Sequence, residues 1–225
     1  ECSYIASQAI KGAELTLYKW NTGMWYEGSN YWELEMQFTA KFMASLDSVL
    51  STDFGFSNLE GLDEAGEAQV QVHGATDVIF NYGDANESTF FVPELIWLGN
   101  RYDQPGLAYV VNQKSNGGFN GNDKTEGEDR ALAGLWYDVD KASEEGLALD
   151  YFNDDLDIVT AREAWNDTTA SFFGAKGGND PTDGHSHLDA GTFVFESDGV
   201  RWAKDLGMGA YTTAYFETGD TEENP

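Results

Sequence analysis

The densest chemistry in the chain lies between residues 184 and 205. Gly184-His185-Ser186-His187-Leu188-Asp189 sets two imidazoles two positions apart, and Lys204-Asp205-Leu206-Gly207 follows. His185 and His187 are two of the three histidines in the chain. Imidazole and carboxylate suit zinc, although two polar loop residues explain a His-x-His spacing equally well. Two metal motifs are excluded. A zincin helix needs His-Glu-x-x-His, which is absent. A cupin-like barrel wants a glutamate shortly after the second histidine, where Gly191 and Thr192 stand. The single cysteine, Cys2, rules out an internal disulfide, and no Cys-x-x-Cys offers a zinc ribbon or redox pair.

The element that must carry this stretch is a β-hairpin. Residues 192–196 alternate, with Phe193 and Phe195 on one face and Thr192, Val194 and Glu196 on the other. Asp198-Gly199 is a tight-turn pair. With those two residues in the turn, Phe195 faces Trp202 and Thr192 faces Asp205. A fully extended chain would then put His187 roughly 16 Å beyond Asp205, at about 3.3 Å per residue. A shared His187–Asp205 site therefore needs residues 188–191 to bend back, which Gly191 allows.

A second concentration is Trp25-Tyr26-Glu27-Gly28-Ser29-Asn30-Tyr31-Trp32. Four aromatics at one helix start either pack or form a wall on which pyranose faces stack. Asn30 and Glu33 have capping-box spacing. The helix beyond carries Leu34, Phe38, Phe42, Leu46, Val49 and Leu50 on one side. Helices are also expected over 3–20, 62–72, 93–102 (Pro93 in the first turn), 107–111 and 127–137. Phe80-Asn81-Tyr82-Gly83-Asp84 reads as a loop that could line a cleft. Residues 115–127, rich in Gly and Asn, read as a mobile connection without a calcium-loop pattern. Near Lys141 the pattern turns strand-like, over 147–152, 157–163 and 169–176, before the hairpin. Helices first and strands afterwards predict an α+β chain, with a helical, α/α toroid-like part over 1–140 and an antiparallel β-sandwich-like part over 141–225.

The run His185-Ser-His187-Leu-Asp189-Ala-Gly191-Thr-Phe193-Val, with Gly199-Val-Arg-Trp202-Ala-Lys-Asp205-Leu-Gly207, resembles the heparinase II/III-like polysaccharide lyases. Trp25-Tyr-Glu27-Gly28-x-x-Tyr31-Trp32 looks like the segment of that family that supplies the catalytic tyrosine. The resemblance implies β-elimination on a uronic-acid polysaccharide. Tyr31 would do the proton work, with Tyr26 the weaker candidate, and His185 would assist. His187 and Asp205 would be zinc ligands. No histidine follows His187 to supply the third ligand, and the family's upstream Asn or His at the carboxylate would precede Glu1. The chain thus reads as a partial one, from the end of the toroid to the start of the sheet. Substrate contact falls to Trp25, Glu27 and Arg162, whose planar fork suits a uronate carboxylate; a cross-strand salt bridge is the other reading of Arg162. The alternative function is a non-catalytic carbohydrate-binding or structural fragment.

With 12 Lys and Arg against 40 Asp and Glu, the formal charge is −28. Nucleic acid is thereby excluded as a partner, because a basic patch dominates that affinity. The expected partner is an acidic polysaccharide, which the chain's own field repels. Arg162, Lys176, Arg201 and Lys204 could reverse that field locally, and the scarcity of cations favours a carboxylate-only substrate over a densely sulfated one. Paired carboxylates for hydrolysis arise by chance at this acid content. No apolar run is long enough to span a bilayer, and no secretory leader is visible. The family implies a secreted or periplasmic enzyme.

Overall fold

A computed structural model describes residues 2–87, 92–114, 127–138, 140–178 and 184–209. Among the described residues six α-helices precede five strands, an α+β order. Helix α1 covers Cys2–Leu17 and tightens into a 3-10 turn over Tyr18–Thr22, which Gly23 closes in the left-handed conformation. Helix α2 covers Ser29–Leu50. Helices α3 (Ala65–Gln71), α4 (Pro93–Tyr102), α5 (Pro105–Lys114) and α6 (Gly127–Trp136) follow close to the positions their periodicity predicts. The expected mobile connection over 115–127 lies almost wholly outside the described residues, as do positions 179–181 of the glycine-rich turn at 177–181.

Helix α2 corrects two expectations. Its buried stripe is Trp32, Met36, Thr39, Ala40 and Met43, whereas Leu34, Phe38, Val49 and Leu50 are exposed. Both stripes have a period near 3.6, so amphipathicity alone does not choose between them. The larger anchor decides: Trp32 nests against Trp20, ring centroids 5.8 Å apart, and Trp20 against Trp25 at 4.6 Å. The helix also starts without the expected capping box. Gly28 occupies the cap position, and the Asn30 side-chain oxygen accepts instead from the Asn86 amide at 3.0 Å. Gly28 has φ +97°, and a Cβ there would lie 2.5 Å from the Tyr82 carbonyl oxygen. Only glycine lets the chain pass so close to the 82–85 turn.

Strands β1 (Asp150–Asn153), β2 (Ile158–Arg162), β3 (Phe172–Lys176), β4 (Phe193–Ser197) and β5 (Val200–Ala203) form one antiparallel sheet in chain order. The two-residue Asp198-Gly199 turn forms as expected, both residues at positive φ. A bulge between Phe195 and Glu196 then shifts the register, so Phe195 faces Ala203 rather than Trp202. On the turn side of the bulge the register is unshifted, and Arg201 stands opposite Glu196, with which it makes a buried ion pair. The inward face carries Ile158, Phe172 and Val194, packed on Val72, Ile79, Phe80 and Tyr82. Phe152, Phe173, Phe193 and Phe195 stand on the outer face. The described residues contain this one sheet.

The inward face also holds the polar groups that join the two halves. Arg162 donates to the carbonyls of His73 and Gln71 at 3.0 and 2.6 Å. Arg201 donates to those of Ile79 and Val78 at 2.6 and 2.8 Å, and Glu196 accepts from the Thr76 amide at 2.7 Å. Residues 71–79 leave α3 and would otherwise have unpaired backbone groups against the sheet. The two guanidiniums and one carboxylate satisfy them. The segment that follows, 80–86, is thereby aimed at the start of α2.

Candidate functional site

Three loops converge where α2 begins: 25–31, 83–84 and 184–189. Glu27 ties them together. Its carbonyl accepts from the Asp84 amide at 3.0 Å, one carboxylate oxygen from the His185 amide at 3.1 Å, and the other from the Trp25 indole N–H at 2.8 Å. Gly184 makes the approach possible: a Cβ there would lie 2.1 Å from Glu27 Oε1. The Gly83 amide donates to the Asp189 carboxylate. Residues more than 150 positions apart in the chain are thus held by direct hydrogen bonds.

Within this frame the Tyr31 hydroxyl lies 3.0 Å from His185 Nδ1. The two rings stack, centroids 4.1 Å apart and planes inclined by 19°. Asp84 Oδ2 lies 2.9 Å from the same Nδ1, and Oδ1 lies 3.6 Å from His187 Nε2. His187 Nδ1 is 3.9 Å from Asp189 Oδ1. The Asp84 side chain is 7% exposed and that of His185 40%, so the carboxylate sits beneath an imidazole that solvent reaches. Burial pushes the Tyr31 phenol above its ordinary range, and the negative charges of Asp84 and Glu27 push it further. It is a protonated phenol at neutral pH, suited to giving a proton.

Tyr31, Glu27, His185 and His187 therefore gather at one place. Trp25 and Arg162 do not join them as substrate contacts. Trp25 is buried in the aromatic nest of the helical core, so its ring is closed to a sugar. Arg162 is buried behind the sheet, its guanidinium 3.6 Å from the Trp165 ring and bonded to backbone; desolvation lowers its pKa to about 9. Glu27 has both oxygens engaged in holding the loops. Of the four cations named from sequence, Arg162, Arg201 and Lys176 are buried, and Lys204 lies 3.5 Å from Glu87.

His187 and Asp205, the expected zinc pair, each have other partners. Residues 188–191 do bend, with Gly191 at φ +89° and the Thr192 amide donating to the Asp189 carbonyl. The bend carries His187 to Asp84 and Asp189 instead. Asp205 accepts from the Thr192 hydroxyl and from the Gly207 amide. Among the described residues no three His, Cys, Asp or Glu side chains are grouped to hold a metal ion. The residues present do not fit the metal that the resemblance implies.

Sequence reasoning placed Asp84 at the cleft but gave it no partner, and it missed Asp189 and the structural role of Glu27. Its expectation that Phe80 and Tyr82 line the cleft with Asp84 is corrected: both are buried beneath the sheet.

No family model matches the sequence, and no curated protein matches it. Solved structures do. One is a mutant of heparan sulfate lyase HepC from Pedobacter heparinus, with TM-score 0.63 and 15% identity, covering 92% of this chain and 30% of that one. A second structure of HepC from the same organism aligns with TM-score 0.58 and 14% identity, covering 87% of this chain and 27% of that one. The chain shares this fold and spans under a third of the length of those lyases.

Proposed function

We propose that this chain carries part of the active site of a polysaccharide lyase that cleaves a uronic-acid-containing polymer by β-elimination. The observation that carries the reading is the Tyr31–His185 pair, joined at 3.0 Å across the helical and sheet halves and open to solvent. The fold shared with heparan sulfate lyase structures supports it.

In the reaction, the C5 proton of the uronate moves to His185. The C–H electron pair becomes the C4=C5 double bond as the C4–O bond breaks. The leaving oxygen takes the Tyr31 hydroxyl proton. A phenol held protonated by burial and neighbouring carboxylates is matched to that second transfer. Glu27, Asp84 and Asp189 make the surroundings acidic, which favours a polymer with one carboxylate per uronate over a densely sulfated one. Our reading puts the reaction outside the cytoplasm, in a secreted or periplasmic enzyme.

The test is incubation with alginate, hyaluronan and heparan sulfate while following the ultraviolet band of an unsaturated uronate. The reading expects that band with at least one polymer, and its loss in Tyr31→Phe by about 100-fold or more, the scale of one acid–base group. Reducing ends without the band mean hydrolysis. Binding without either product means a non-catalytic carbohydrate module.

A further inference from the structure

Asp84 belongs to neither of the sequence windows that point to elimination, yet its carboxylate is the group that both histidines share. Oδ2 faces His185 Nδ1 at 2.9 Å and Oδ1 faces His187 Nε2 at 3.6 Å. We propose that Asp84 is a positioning residue that holds His185 in the tautomer with its proton on Nδ1. The proposal adds to the elimination reading a residue which that reading does not use, and its kinetic consequence rests on that reading.

Donors and acceptors around the ring decide the tautomer. A neutral imidazole nitrogen either donates or accepts, and a carboxylate only accepts. Nδ1 lies within hydrogen-bond distance of two oxygens, the Tyr31 hydroxyl and Asp84 Oδ2. With the proton on Nε2, the Nδ1 lone pair would face a carboxylate oxygen across 2.9 Å of largely buried space. With the proton on Nδ1, that contact becomes a charge-assisted hydrogen bond, shorter and stronger than a neutral one. The Tyr31 oxygen then accepts a share of the same N–H, and its own proton stays available.

The frame gives the carboxylate no freedom to turn away. The Asp84 amide is held by the Glu27 carbonyl, and the preceding Gly83 amide by Asp189. Stacking on Tyr31 fixes the plane of the imidazole. An orienting carboxylate behind a histidine is the arrangement that sets tautomers in acid–base catalysis generally.

Tautomers are read directly from long-range proton–nitrogen correlation spectra of the nitrogen-15-labelled chain. Only three histidines contribute, and His187→Gln separates the two in the cleft. His73 is an internal standard: its Nδ1 lies 3.0 Å from the Gln69 carbonyl, which can only accept. At pH about 9, where an ordinary imidazole is neutral, His185 is expected to show a pyrrole-type Nδ1 and a pyridine-type Nε2. Asp84→Leu keeps the approximate size but offers Nδ1 no acceptor, leaving it the Tyr31 O–H as donor, and is expected to move the proton to Nε2. A pyrrole-type Nε2 in the wild type overturns the proposal, as does an unchanged tautomer in Asp84→Leu. Where the wild type makes the unsaturated product, kcat in Asp84→Leu should fall about 100-fold or more with KM within about threefold, the pattern of a mis-set base. A wild type that cleaves none of the polymers refutes the elimination reading, while the spectra still decide the tautomer.

Discussion

Glu196 is fully buried, and its removal should cost far more stability than the loss of an exposed ion pair. Its carboxylate pairs with Arg201, accepts the Thr76 amide at 2.7 Å, and supplies the negative charge that favours the ionised form of buried Arg162. Glu196→Ala leaves a buried guanidinium without its counter-charge. Breaking a buried pair from one side costs about 3–5 kcal/mol, and an orphaned amide costs about 1–3 kcal/mol. The two overlap, because water entering the vacated space would satisfy part of both, so about 4 kcal/mol is the working figure. For a chain of this size 1 kcal/mol moves the melting temperature by roughly 2–4 °C, so the expected loss is about 8–16 °C. Urea unfolding followed by circular dichroism and by tryptophan fluorescence would measure it. Both signals should shift together, because residues 71–79 are the strap between helices and sheet. The Lys204–Glu87 pair, exposed on both sides, is the control: Glu87→Ala should cost at most about 1 kcal/mol. A Glu196→Ala cost within about 1 kcal/mol of that control would refute the idea that buried charge holds the halves together.

Further outcomes follow from the same geometry. Gly28→Ala puts a Cβ 2.5 Å from a carbonyl oxygen at φ +97°; it should destabilise by about 2–3 kcal/mol in urea titrations and lower elimination activity with it. Arg162→Lys loses the fork that bonds two carbonyls and stacks on Trp165. It should cost about 2–3 kcal/mol and leave KM unchanged; a raised KM at unchanged stability would return Arg162 to the substrate. Burial raises the phenols of Tyr31, Tyr82, Tyr102 and Tyr151, the last to about 12. Because these folded values lie above the unfolded ones, their contribution is complete below pH about 10 and is lost as pH rises beyond it. Melting temperature should therefore fall steeply above pH about 10. Absorbance titration should show these tyrosines ionising only as the chain unfolds.

The sequence by itself determined what depends on near neighbours. Pro93, the 3.6-residue patterns and the Gly-rich breaks located α3 to α6, and alternation located the five strands. Asp198-Gly199 set a two-residue turn, since both positions take positive φ there. The family resemblance of two short windows, rather than any local pattern, brought Tyr31 and His185 forward as a pair. Tertiary structure decided everything that depends on which face meets which. α2 has two apolar stripes, and only the Trp20–Trp25–Trp32 nest picks the buried one. Arg162 and Trp25 carry groups suited to a sugar, but desolvation and ring packing claim them first. Asp84 stands 101 positions from His185, so no local pattern could have joined them. The carboxylate reaches the imidazole because Gly28 lets the 82–85 turn lie against the start of α2, and because Glu196, Arg162 and Arg201 hold the strap that precedes it. Hydrogen-bond partners of that kind are set by through-space packing, which spacing along the chain does not encode.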